Sequence, residues 1–187
     1  MVDDLVRGCA APALTEELVH FLMGELAALR PLFHSEADFQ HSFAARLAAR
    51  RSDLEIRLEI PYRAISSADP ALHGIVDMHC RNRDGTAATT VEFKYRKRRW
   101  RGTADGESFD LLDQSAQDLG RHAVVHDIHR LEQWQAAAGG SAFAVILSND
   151  PSFWEEPVRP PTGRTLKYLV IPVHNAPTPD PAAPPHR

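Results

Sequence analysis

Leu18, Phe21, Leu22, Leu26 and Leu29 recur three and four residues apart, which draws one apolar stripe along a helix. Thr15 opens that helix, Glu16 and Glu17 sit in its first turn where the dipole favours acids, and Pro31 ends it. Ser35 starts a second helix as S-x-x-D, close to a capping box, running to about Arg51. The period then changes from helical to alternating. In the run 54–64, Ile56, Leu58 and Ile60 alternate with Glu55, Arg57 and Glu59, the pattern of a half-buried strand. Two more strand-like runs follow at 74–80 and 89–96, joined by "NRDGT" (82–86), whose Asp-Gly pair signals a hairpin turn. "TADGES" is read as a loop, and a long helix is predicted from about Phe109 to Ala138, stopped by Gly139 and Gly140. The stretch 141–150 is continuously apolar, as in a strand covered on both faces, and 165–173 gives a last strand.

The predicted order is α-α-β-β-β-α-β-β. An antiparallel meander passes through a crossover helix, expected to be right-handed, into a buried strand parallel to it in the same sheet. This is an α/β fold with a central mixed sheet flanked by helices. The tail from Asn175 holds five prolines in thirteen residues and is expected to be disordered.

Composition narrows the class. The 187 residues suit one domain with tails, and 43% hydrophobic with 25% charged residues is ordinary for a soluble globular protein. No apolar run approaches membrane-spanning length, and the acidic N-terminus lacks a signal pattern, so a cytoplasmic protein is expected. Cys9 and Cys80 form neither a CxxC nor a disulfide framework. The net charge is −4, but Lys94 to Arg101 holds six basic residues and no acid, which leaves −10 on the rest of the chain. Such a local basic patch can steer a polyanion.

Chemistry enters through charged residues inside apolar strands. Residues two apart share a strand face, so Glu92 and Lys94 point one way and Val91, Phe93 and Tyr95 the other. One strand earlier, Ile75, Asp77 and His79 are expected on one face and Val76, Met78 and Cys80 on the opposite one. The hairpin brings Asp77 beside Glu92. Two adjacent carboxylates repel unless something neutralises them, and Mg²⁺ suits a site with few carboxylates. On the second helix, Glu36 and Gln40 fall on the core-facing stripe of Phe43 and Leu47, where a carboxylate is costly unless bonded. On the long helix, Asp118, Arg121, Val125 and Ile128 lie within about 40° of Gln114 at 100° per residue, a stripe polar first and apolar later.

Asp77, followed about fifteen residues later by Glu92-Phe93-Lys94 within an α-β-β-β-α-β order, resembles the PD-(D/E)XK nuclease superfamily, with its restriction-endonuclease-like core. The resemblance covers roughly residues 35 to 155, and "DIHRLE" and "FAVILSNDPSFW" are similar to segments of small bacterial members. The proline of the motif is absent, since Val76 precedes Asp77. The resemblance divides the chain into an N-terminal helical extension (1–34), a nuclease-like domain (35–174) and the tail (175–187). It implies a metal-dependent nuclease that hydrolyses phosphodiester bonds by a Mg²⁺-activated water, Mn²⁺ being a substitute. DNA is the expected substrate and RNA stays open. Asp77, Glu92, the backbone carbonyl of Phe93 and Glu36 would ligate metal, and Lys94 would position or activate the water. Gln40, Gln114, Asp118 and Arg121 would support the site. Arg96, Lys97, Arg98, Arg99 and Arg101 would contact phosphates and Trp100 could stack on a base. With little room for a separate recognition domain, structure-selective cutting, a homodimer or a larger nuclease complex is implied. The alternative is a catalytically inactive nuclease-fold subunit for DNA binding or assembly.

Overall fold

The computed structural model describes residues 11–65, 74–113, 117–150 and 167–173, with the side chains of 11, 64, 117–121, 137, 167 and 173 left out. Its elements are β1 (Ala11–Pro12), α1 (Glu16–Leu29), α2 (Glu36–Arg50), β2 (Leu54–Pro61), α3 (Tyr62–Ile65), β3 (Ile75–Asn82), β4 (Ala87–Arg96), β5 (Trp100–Ala104), β6 (Glu107–Leu111), α4 (Gln117–Ala138), β7 (Ser141–Ser148) and β8 (Lys167–Val173). The protein is α/β. Its central sheet is mixed and runs β2-β3-β4-β7-β8, with the two-residue β1 alongside the start of β4. The meander β2-β3-β4 is antiparallel, β7 returns parallel to β4 after α4, and β8 is antiparallel to β7.

Both predicted helix starts are capped as their sequences dictate. The Thr15 and Ser35 hydroxyls accept from the amides of Leu18 and Asp38 at 3.3 and 3.1 Å, filling donors a helix start leaves orphaned. α1 and α2 cover one sheet face, where Leu22, Leu26, Phe39, Phe43 and Leu47 pack against Val91, Phe93, Tyr95, Val145 and Leu147. α4 covers the other, placing Leu131 and Trp134 against Ala142, Ala144 and Ile146. The intervening β7 is buried from Ala142 to Ser148, which explains its unbroken apolar sequence. No helix among the described residues is long and apolar enough to cross a membrane.

Three expectations are corrected. The long helix begins at Gln117, not near Phe109, because residues 100–111 form a hairpin, β5 with β6. Its turn is "TADGES": Asp105 and Gly106 have φ of 49° and 81°, the left-handed pair that a two-residue hairpin loop needs. The inward stripe of α4 is Val124, Asp127, Ile128, Leu131 and Trp134, so Val125 faces outward at 66% exposure. Finally, Val76 does not share a face with Met78 and Cys80. It packs on the α4 side with Ile60, whereas Met78 and Leu58 pack on the α1–α2 side.

That change of face has a local cause. The β2–β3 ladder pairs Leu58 with Met78 and Ile60 with Val76, but skips Glu59 and Asp77. Glu59 holds a φ of 50°, unusual for a residue with a side chain, and the ribbon coils there.

Gly140, between α4 and β7, has a φ of 82°, and a Cβ there would lie 2.6 Å from the carbonyl oxygen of Ala88. Gly140→Ala therefore combines left-handed strain with a backbone clash and should cost more than about 2 kcal/mol. Chemical denaturation checks this; a loss below ~0.5 kcal/mol would show that the α4–β7 junction is not held so tightly.

Candidate active site

The β3–β4 ladder covers Met78↔Val91 to Arg81↔Ala88 and stops there. Extending the register by one step would pair Asp77 with Glu92, but the strands part at that point. From Glu92 to Arg96, β4 is paired with β7 alone among the described strands. The edge of β4 that turns toward β3 thus loses its ladder partner, and buried backbone N–H groups need a replacement. Two carboxylates supply it. Asp77 Oδ2 accepts from the Phe93 amide at 2.7 Å, and Glu36 Oε2 accepts from the Tyr95 amide at 2.8 Å. The Gln40 side-chain amide donates to the Asp77 carbonyl oxygen, and Gln40 is itself buried. Four predicted residues, Glu36, Gln40, Asp77 and Phe93, therefore meet at one fork in the sheet. In a strand the carbonyl of a residue turns the same way as its N–H, so that of Phe93 also faces the fork.

Glu92 and Lys94 project from the other face of β4, toward α4, while Phe93 is locked among Phe39 and Phe43. Glu92 is only 2% exposed. Its Oε2 accepts from Arg130 Nη2 at 2.9 Å, and its Oε1 is buried with no hydrogen-bond partner among the described residues. Burial, reinforced by the Asp77 charge, pushes the Glu92 carboxyl up to about 8 against the opposing pull of Arg130 and Lys94. Burial likewise raises Asp77, partly offset by the Phe93 amide and Lys94. The Lys94 ammonium lies 3.2 Å from Asp127 Oδ2 and 3.7 Å from Glu36 Oε1. Burial alone would lower its pKa, but Glu36, Asp127, Asp77 and Glu92 together outweigh it and hold Lys94 above its ordinary value, as a cation.

The raised Glu92 value has a sign that can be checked. The folded chain keeps a proton that the unfolded chain releases above its ordinary 4.5, so stability should fall as pH rises from there through about 8. In divalent-free buffer, Glu92→Gln should flatten that decline. Urea midpoints at pH 5 and pH 8 test this, and equal slopes in both proteins would remove Glu92 as the source.

Asp127 and Arg130 were not among the residues picked out by sequence. Asp127 sits on the inward stripe of α4 and Arg130 three residues further along at its edge, with Arg130 Nη2 3.1 Å from Asp127 Oδ1. The spacing of Val124, Asp127, Ile128, Leu131 and Trp134 carries the signal, which the competing stripe through Gln114 and Val125 masks. Of the supporting residues expected on that stripe, Gln114 lies outside the described residues, as do the side chains of Asp118 and Arg121.

The basic run leaves β4 at the same end as the fork. Asn149 pins its backbone, accepting from the Arg98 amide at 2.7 Å and donating to the Arg98 carbonyl at 3.0 Å. Its side chains do not form one uniform patch. Lys97 Nζ reaches the His34 carbonyl at 3.4 Å, Arg101 pairs with Asp110, and Arg96 is half-buried. Arg99 is exposed. Trp100 packs on its own hairpin, 6.2 Å from the Phe109 ring and over Gly102.

Among the described residues, no three or more His, Cys, Asp and Glu side chains are grouped to hold a metal ion. A smaller donor set does fit a hard divalent cation: two neighbouring carboxylates, one with an orphaned buried oxygen, beside a strand carbonyl. No family model, no curated protein and no solved structure matches the chain.

Proposed function

We propose that the chain is a metal-dependent nuclease of the PD-(D/E)XK type, with a restriction-endonuclease-like core, acting on phosphodiester bonds and on DNA in the first instance. One observation carries the reading: Asp77 and Glu92 flank the point where β3 and β4 part, near enough for the Asp77 charge to raise the Glu92 carboxyl, and Glu92 keeps a buried oxygen with no hydrogen-bond partner among the described residues. Such an oxygen is costly unless a proton or a cation meets it.

Asp77, Glu92 and the Phe93 carbonyl would hold Mg²⁺ or Mn²⁺, and Glu36 would brace the fork through the Tyr95 amide. Bound there, the cation would supply Lewis acidity toward a phosphoryl oxygen. The four carboxylates around Lys94 keep it charged, which suits an ammonium that orients the attacking water and stabilises charge on the phosphoryl group. It does not suit a base that takes the proton. Arg99 and its neighbours would meet the phosphate backbone as salt-sensitive contacts without sequence readout.

Labelled duplex, branched and single-stranded DNA, with RNA alongside, incubated with Mg²⁺ or Mn²⁺ and again with EDTA, tests the proposal. Cleavage of at least one substrate that EDTA abolishes is expected; no cleavage of any would sink it. The second reading, an inactive nuclease-fold subunit, draws on the Arg130–Glu92 ion pair, which already neutralises one carboxylate. It predicts binding of DNA without binding of Mn²⁺.

A further inference from the structure

α4 reaches the fork through two side chains that the nuclease motif does not include. The Arg130 guanidinium is fixed from three directions: Glu92 Oε2 at 2.9 Å, Asp127 Oδ1 at 3.1 Å, and the Trp134 ring, whose centroid lies 5.0 Å away. Trp134 is buried and stacks on Tyr62 at 5.0 Å with planes 8° apart, so the face beneath the guanidinium is rigid. The other oxygen of Asp127 lies 3.2 Å from Lys94 Nζ. One carboxylate thus spans both basic groups of the site, and each basic group bears on the motif.

A purely structural partner for a buried glutamate would be expected to satisfy both of its oxygens, as the paired donors of a guanidinium can. Among the described residues, Arg130 holds Glu92 by Oε2 only, and Oε1 has no hydrogen-bond partner. Glu92 is thereby fixed in one rotamer with one oxygen committed and one left to act as a ligand.

We propose that Asp127 and Arg130 are the positioning residues of this site: Arg130 fixes Glu92 by one carboxylate oxygen so that the other meets the cation, and Asp127 aligns Arg130 and Lys94 together. The inference rests on the metal-site reading above. Groups that orient a metal ligand typically change affinity or activity about 10–100-fold when lost.

Calorimetric titration of the full chain with Mn²⁺ tests it, with a melting curve for each variant to confirm folding. Glu92→Gln should lose binding. Arg130→Ala should weaken Mn²⁺ at least ~10-fold, and Arg130→Lys, which keeps the charge but not the fork, should fall between it and the wild type. Asp127→Asn should lower kcat about 10-fold or more with KM unchanged, because Lys94 loses its alignment. If Glu92→Gln abolishes binding but Arg130→Ala binds Mn²⁺ as the wild type does, or more tightly, the positioning role is overturned and the metal site stands. If the wild type itself binds no Mn²⁺, both readings fall together. Should Arg130→Ala not fold, Arg130→Lys decides: wild-type affinity overturns the proposal and weakened affinity supports it.

Discussion

Glu92→Gln should reduce divalent-dependent cleavage by about 10³-fold while the protein remains folded. The substitution keeps the size and shape of the side chain and removes its charge. Arg130 Nη2 can still donate to the remaining carbonyl oxygen, so the α4 contact survives in part. What is lost is the anionic oxygen that would meet the cation. The melting temperature is the control that gives the result meaning. A buried carboxyl whose pKa is pushed up to about 8 by burial and by Asp77 is a burden on the fold near neutral pH. The variant should therefore melt at or above the wild type at pH 8 in divalent-free buffer. Inactivity with intact melting is the expected pair of results. Retention of cleavage within ~10-fold would remove Glu92 from the chemistry, since general acid–base or charge effects alone are worth more than that.

Phe93→Ala should cost about 3–5 kcal/mol of stability, the range for deleting a buried aromatic ring. Phe93 is fully buried, with ring centroids 5.3 Å from Phe39 and 5.1 Å from Phe43, both edge-on. Those two residues are on α2, the helix that also carries Glu36 and Gln40 to the fork. At ~2–4 °C per kcal/mol for a chain of this size, the melting point should fall by about 10 °C. Divalent binding by the variant, measured well below its melting point, should weaken too, because the backbone that Asp77 and Glu36 grip sits on this anchor. A loss under ~1 kcal/mol would mean that α2 does not clamp β4 as described.

Much of the site was legible because strands and helices impose fixed periods. Alternation alone separates Glu92 and Lys94 from Val91, Phe93 and Tyr95, and the helical period puts Glu36 and Gln40 beside Phe43 and Leu47. The Asp105-Gly106 turn is equally legible, since the pair is the same hairpin signal that Asp84-Gly85 gives, but the helix predicted from about Phe109 overlaps its second strand. The α4 error is of another kind. Two stripes about one residue apart compete on that helix, and only packing against Ala142, Ala144 and Ile146 chooses the one through Asp127.

The sequence by itself determined the order of the main elements, the parallel return of β7, and the meeting of Asp77 with Glu92, because these follow from local period, turn chemistry and chain connectivity. The tertiary structure decided that β3 and β4 part at that meeting, that Glu36 and Asp77 take over the amides left behind, and that Arg130 engages one oxygen of Glu92. Each of these joins groups from separate elements, up to 59 residues apart for Glu36 and Tyr95. No local period encodes such contacts; they exist because a buried polar group must find a partner wherever the packed chain supplies one.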